Sequence, residues 1–177
     1  MTRFATEYGG ALFELACEEQ ISDRIMAELK QVVAIFDQDA EYLRLLNARS
    51  LEPAVRKQLL EEAFADAHPY LLNFMKLLID RGAMDYFPEC AAAYRARYND
   101  MMGIAEAQVV SAAPLTQAQI DALRARLAEI SGKNVELHLR VEPELIGGVC
   151  VDLLGRRYDN TVRTRLQQLR RNLMEQE

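Results

Sequence analysis

Two histidines, three cysteines and a few adjacent carboxylates are what this 177-residue chain offers for conventional catalysis or metal binding. His68 stands immediately before Pro69 at the entry to a helix, and His138 occupies the outward set of an alternating strand. A metal site needs imidazole, thiolate or carboxylate ligands at defined spacings, and neither histidine has a Cys or carboxylate so placed. Cys17, Cys90 and Cys150 are odd in number, far apart and set in apolar neighbourhoods, which predicts buried, reduced thiols. No serine lies in a nucleophile elbow, and no cysteine shares a recognisable motif with a histidine. Glu18-Glu19 and Glu61-Glu62 fall at helical surface positions, where solvation is the ordinary role of a carboxylate. Gly147-Gly148 is not followed by Lys-Ser or Lys-Thr and opens no helix, so it cradles no phosphate. The sequence predicts no catalytic residue, no metal and no cofactor.

The elements that carry these residues are legible from periodicity. Phe4, Tyr8, Leu12 and Leu15 form one apolar helical stripe. Ser22 predicts a cap for a second helix with Ile25, Leu29, Val32, Val33 and Phe36 on one face. A short helix around Tyr42, Leu45 and Leu46 follows, and Pro53 starts another that carries Val55, Leu59, Leu60 and Phe64. Pro69 opens a fifth helix, closed by Gly82. A sixth, from Met84 to Met102, places Phe87, Cys90, Tyr94, Tyr98 and Met101 on one side. Six helices with short joints predict an antiparallel bundle over 1–103.

Helix 69–81 is apolar almost all round: only Asn73 and Lys76 interrupt Leu71, Leu72, Phe74, Met75, Leu77, Leu78 and Ile79. Either it is buried at the centre of its bundle, or one face packs inward and a partner covers the other.

Beyond Gly103 the pattern changes. Residues 106–112 predict a strand, and Pro114 breaks it. Thr116 with Gln119 has capping-box spacing before a helix lined by Ile120, Leu123, Leu127 and Ile130, which Gly132 ends. Val135, Leu137, Leu139 and Val141 alternate with polar residues, as do Val149, Val151 and Leu153, giving two half-buried strands. Gly155-Arg156-Arg157 reads as a turn, with Tyr158 able to add a short strand. Asp159 or Asn160 then caps a closing helix bearing Val162, Leu166, Leu169 and Leu173. The whole is α+β, a six-helix bundle over 1–103 followed by a small β-α-β-β-α domain over 104–177.

Composition sets limits. Half the residues are hydrophobic, enough for a packed core, and the formal net charge is −6. Residues 1–104 hold 11 Lys/Arg against 17 Asp/Glu, which speaks against nucleic-acid binding and suits either a solvated surface or a basic, amphipathic partner. No apolar run approaches the roughly 20 residues a membrane helix needs. Arg3, Glu7 and Glu14 break up any signal peptide, so a soluble cytosolic chain is expected. Arg156, Arg157, Arg163, Arg165, Arg170 and Arg171 outnumber Asp159, Glu175 and Glu177 at the end of the sequence. They either complement a helix dipole or dock an acidic helix.

In order and spacing, several motifs together resemble the delta subunit of F-type ATP synthase, relative of the oligomycin-sensitivity-conferring protein. They are Tyr8-Gly9-Gly10-Ala11-Leu12-Phe13, Asn73-Phe74-Met75-Lys76-Leu77-Leu78, Val110 to Thr116, Val141-Glu142-Pro143-Glu144-Leu145-Ile146-Gly147-Gly148, and Tyr158-Asp159-Asn160-Thr161-Val162 with Leu166. Ala83 stands where the family usually has Arg, Glu142 where it has Asp, Arg156 where it has Asp, and Thr161 where it has Ser.

The resemblance implies a non-catalytic stator subunit of the proton-translocating synthase, one copy per complex, on the cytoplasmic face of the cell membrane without inserting into it. It implies two partners. The N-terminal helix of an alpha subunit would lie in a groove between the first helix and helix 69–81, with Tyr8, Leu12, Leu77 and Ile79 as candidate contacts. The b subunits of the peripheral stalk would be held by the C-terminal domain, with Arg163, Leu166 and Arg170 as candidates. The reading outside this family is a free-standing helical adaptor that binds some other amphipathic helix.

Overall fold

The structure, a computed structural model, describes residues 2–48, 50–162 and 164. Among these the fold mixes seven α-helices with a four-stranded mixed sheet. The chain divides into two compact units, Met1–Tyr98 and Asn99–Glu177.

The first unit contains α1 (Arg3–Glu18), α2 (Ser22–Gln38), α3 (Ala40–Asn47), α4 (Pro53–Ala63), α5 (Pro69–Arg81), a 3-10 turn at Met84–Tyr86 and most of α6 (Phe87–Met102). Local signals explain most ends. Thr2 caps α1, the Asp39 carboxylate accepts from Tyr42 N, and Pro53 and Pro69 sit in first turns where no amide donor is needed. Gly82, at φ 60°, ends α5 in the left-handed conformation that favours glycine.

Two expectations need correction. Ser22 is the first helical residue of α2 and not its cap. Ile21 holds the cap position, because Gln20 at φ 57° turns the chain so tightly that helical geometry resumes at once. The helix expected from Met84 begins at Phe87 after the 3-10 turn, since Pro88 is tolerated only in a first turn.

Ile25, Leu29, Leu46, Leu60, Leu71, Met75, Leu78, Ile79, Met84, Phe87 and Tyr94 are fully or almost fully buried in one cluster. Phe36 meets Phe87 edge-on at 5.3 Å between centroids, an arrangement the ring quadrupoles favour. The buried Tyr94 hydroxyl donates to Ser22 O at 3.0 Å, so its polar tip is satisfied. Met101, expected on the inner face of α6, is 51% exposed.

The second unit runs β1 (Ile104–Ser111), α7 (Gln117–Ser131), β2 (Asn134–Val141), a 3-10 turn at Pro143–Leu145, β3 (Val149–Leu153) and β4 (Arg156–Asp159). Strand order is β2-β1-β3-β4. β1 and β2 are parallel, joined by the α7 crossover, while β3 is antiparallel to both β1 and β4. The reciprocal bonds between Thr116 and Gln119 form the expected capping box. Ala105, Ala107, Val109, Leu127, Val135, Val151 and Leu153 make a separate small core.

The short strand that Tyr158 is able to add is present as β4, but it starts at Arg156, within the residues read as a turn. Leu154 and Gly155 both take positive φ (51° and 75°), a two-residue hairpin that places Arg156 and Arg157 inside β4 instead of in a turn. Most of the expected closing helix lies outside the described residues.

Candidate functional site

Helix α1 has two contrasting faces. Its inward face is built of small residues, with Ala5, Gly9 and Ala16 buried. At Gly9 the fit is tightest: a Cβ there would stand 2.3 Å from Cys90 O and 2.9 Å from Ala93 Cβ on α6. Glycine therefore lets the α1 backbone lie directly on α6. The larger side chains, Phe4, Tyr8 and Leu15, are left on another flank, half-buried or exposed.

Helix α5 is also two-faced. Leu71, Met75, Leu78 and Ile79 point into the core with at most 1% exposure, whereas Leu77 is 41% exposed. Leu77 shares its face with Tyr70, Asn73 and Phe74 by the three- and four-residue spacing of a helix.

These two faces meet in a channel of about 500 Å³ lined by Glu7, Tyr8, Ala11, Leu12 and Leu15 from α1 and by Tyr70, Asn73, Phe74 and Leu77 from α5. Leu12 and Phe74, 5% and 8% exposed, form its floor. Tyr8 is held by a stack on Phe4 at 4.0 Å, and Phe4 in turn touches Tyr86 at 5.5 Å. At the far end Tyr70 donates its hydroxyl to Glu19, whose charge and hydrogen bond raise the phenol above its ordinary pKa. The Tyr70 ring stacks on His68, whose Nδ1 accepts from Tyr70 N at 3.3 Å. His68 is thus a helix cap that steadies one wall of the channel.

Of the residues expected at this groove, Tyr8, Leu12 and Leu77 line it. Ile79 does not: it is 1% exposed in the core, two positions out of phase with Leu77. Tyr70, Asn73, Phe74, Ala11, Leu15 and Glu7 were not singled out from the sequence, although they repeat the phase of Leu77 and Tyr8. Arg163, Leu166 and Arg170, the candidate stalk contacts, lie outside the described residues.

The other chemistry-bearing side chains have structural settings. His138 Nε2 lies 3.8 Å from a Glu106 carboxylate oxygen, and that glutamate's other oxygen accepts from Asn99 at 2.7 Å. None of the three cysteines forms a disulfide, and burial pushes the Cys90 thiol up to about 11, which keeps it protonated and unreactive near neutrality. Among the described residues, no three His, Cys, Asp or Glu gather as metal ligands. No described helix is long and apolar enough to cross a membrane.

The channel is apolar at its floor, and Glu7, Tyr8, Tyr70 and Asn73 are the polar side chains that line it. Residues 4–173 match the family model of the ATP synthase delta (OSCP) subunit. The chain belongs to that family. It is 38% identical over 170 residues to ATP synthase subunit delta of Desulfitobacterium hafniense (strain DSM 10664 / DCB-2), covering 96% of this chain and 95% of the relative. With the same subunit of Anoxybacillus flavithermus it shares 37% identity over 174 residues, covering 96% of each. In fold it is similar to a chain of the Toxoplasma gondii mitochondrial ATP synthase hexamer, with TM-score 0.77, 15% identity and 98% of each chain covered. A delta (OSCP) subunit is a non-catalytic stator component of F-type ATP synthase, part of the complex and bound to its catalytic head.

Proposed function

We propose that the α1–α5 channel receives the N-terminal helix of an alpha subunit, and that the second unit grips the C-terminal ends of the peripheral-stalk b subunits. In this reading 1–103 is a six-helix bundle devoted to the head, 104–177 is devoted to the stalk, and one copy serves each complex. It works at the cytoplasmic face of the cell membrane. The observation that carries it is the channel itself. Tyr8, Leu15 and Leu77 remain partly exposed around a buried floor, although inward-facing alternatives exist on the same helices.

The mechanism is mechanical. Rotation of the rotor inside the head drives conformational change at the nucleotide sites only if the head is prevented from turning with it. A connector must therefore hold both head and stalk against torque. Covering a half-exposed leucine or tyrosine stabilises a complex by about 1 kcal/mol or more, at roughly 25 cal/mol per Å² of apolar area. Several such side chains in one channel, with a second interface on the other unit, bring a grip of about −12 kcal/mol (nanomolar) within reach. Tyrosine suits the rim, because its ring buries area while its hydroxyl stays hydrated.

Titration calorimetry with the alpha N-terminal peptide tests the proposal. Tyr8→Asp is expected to weaken binding at least tenfold while circular dichroism stays unchanged. An unaltered affinity would move the binding surface away from this channel.

A further inference from the structure

The channel is apolar at its floor but unequal at its edges. At 100° per residue, Glu7, Glu14 and Glu18 fall within a narrow stripe of α1 immediately beside Phe4, Ala11 and Leu15. All three are exposed, and Glu7 lines the channel. Glu19 adds a fourth carboxylate where Tyr70 closes the end.

Cations offset part of this charge: Arg3 pairs with Glu7 at 2.8 Å and Arg97 with Glu14 at 2.5 Å, both on open surface. Four carboxylates against two guanidiniums leave the α1 edge negative. The α5 edge differs. Asn73 is neutral, and the charges behind it are taken up by α4, Lys76 with Glu61 at 2.5 Å and Asp80 with Lys57 at 2.7 Å.

We propose that the channel selects a helix that is basic along the flank lying against α1. This rests on the reading of the channel as a helix site and specifies the chemistry of its occupant. An amphipathic helix seated by its apolar stripe puts one flank over Glu7, Glu14 and Glu18. Lysine or arginine there meets opposite charge, whereas glutamate meets like charge. Surface charges of this kind act mainly through association rate and discrimination, and salt screens them.

The test uses the full chain and three synthetic helical peptides with one shared apolar stripe, carrying lysine, glutamine or glutamate along one flank. Calorimetry at low salt is expected to rank lysine first and glutamate last, with about tenfold between them, the gap closing as salt rises. The double variant Glu7→Gln/Glu18→Gln, on exposed positions that leave the fold intact, is expected to narrow the gap at low salt. Equal affinities for the three peptides, or preference for glutamate, would overturn the charge selection and leave the helix site standing. Failure of all three to bind would overturn the helix site, and the selection with it.

Discussion

Gly9 and the carbonyl of Cys90 are so close that a Cβ on the glycine would lie 2.3 Å from that oxygen. This contact sets α1 flat on α6 by its small face and fixes which side chains the helix presents elsewhere. Tyr8 and Leu15 face the channel because Gly9 faces the neighbour.

Gly9→Ala is the direct probe of that contact. On an exposed helix the change would stabilise by roughly 1 kcal/mol. Here the obstacle is a backbone carbonyl that cannot rotate away, so a net loss of about 1–3 kcal/mol is expected. Chemical denaturation measures it, and a variant as stable as the parent would show that α1 and α6 are not so close.

Leu77 and Ile79 stand two positions apart in opposite settings, the first exposed and the second buried. Ile79→Ala should cost about 2–5 kcal/mol of stability, as deletion of a buried side chain does. Leu77→Ala should leave stability within about 1 kcal/mol and weaken the bound helix instead. Unfolding curves and peptide titrations on both variants separate the two effects.

Truncation after Gly103 keeps the whole of α6 and the first core. The fragment is expected to remain helical and to bind the alpha peptide, with no affinity for the b subunits. Loss of helical signal in circular dichroism would show that the first core does not stand alone.

Alkaline pH should destabilise the first unit through Cys90. Its thiol pKa rises from an ordinary 9.0 to about 11 in the folded state, chiefly by burial. A group raised on folding contributes stability that is complete below its unfolded pKa and is lost as pH climbs through the folded one. Denaturation midpoints should therefore fall between pH 9 and 11, and less steeply in Cys90→Ala. Parallel profiles would assign the fall to other groups.

Helix boundaries were largely legible because chemistry marks them: prolines in first turns, Gly82 and Gly132 at the ends, and the Thr116–Gln119 box. The turn at Gly155 was legible but not its position: leucine is an unusual residue at positive φ, so nothing marks Leu154 as the first turn residue and Arg156 as already in the strand. The site was half legible. In α5, apolar residues surround the axis, so periodicity gives no phase. Only packing decides that Leu77 is outside and Ile79 inside. In α1 the conspicuous stripe of large residues marks the channel, while Ala5, Gly9 and Ala16, too small to stand out in a hydrophobic pattern, form the inward face.

The central claim is that the space between α1 and α5 holds a helix of another subunit. Nuclear magnetic resonance of the labelled full chain, titrated with the alpha N-terminal peptide, tests it most directly. The largest shift changes should cluster at Tyr8, Ala11, Leu15, Tyr70, Asn73 and Leu77. Binding with those signals unmoved, and changes gathered on another face, would contradict it.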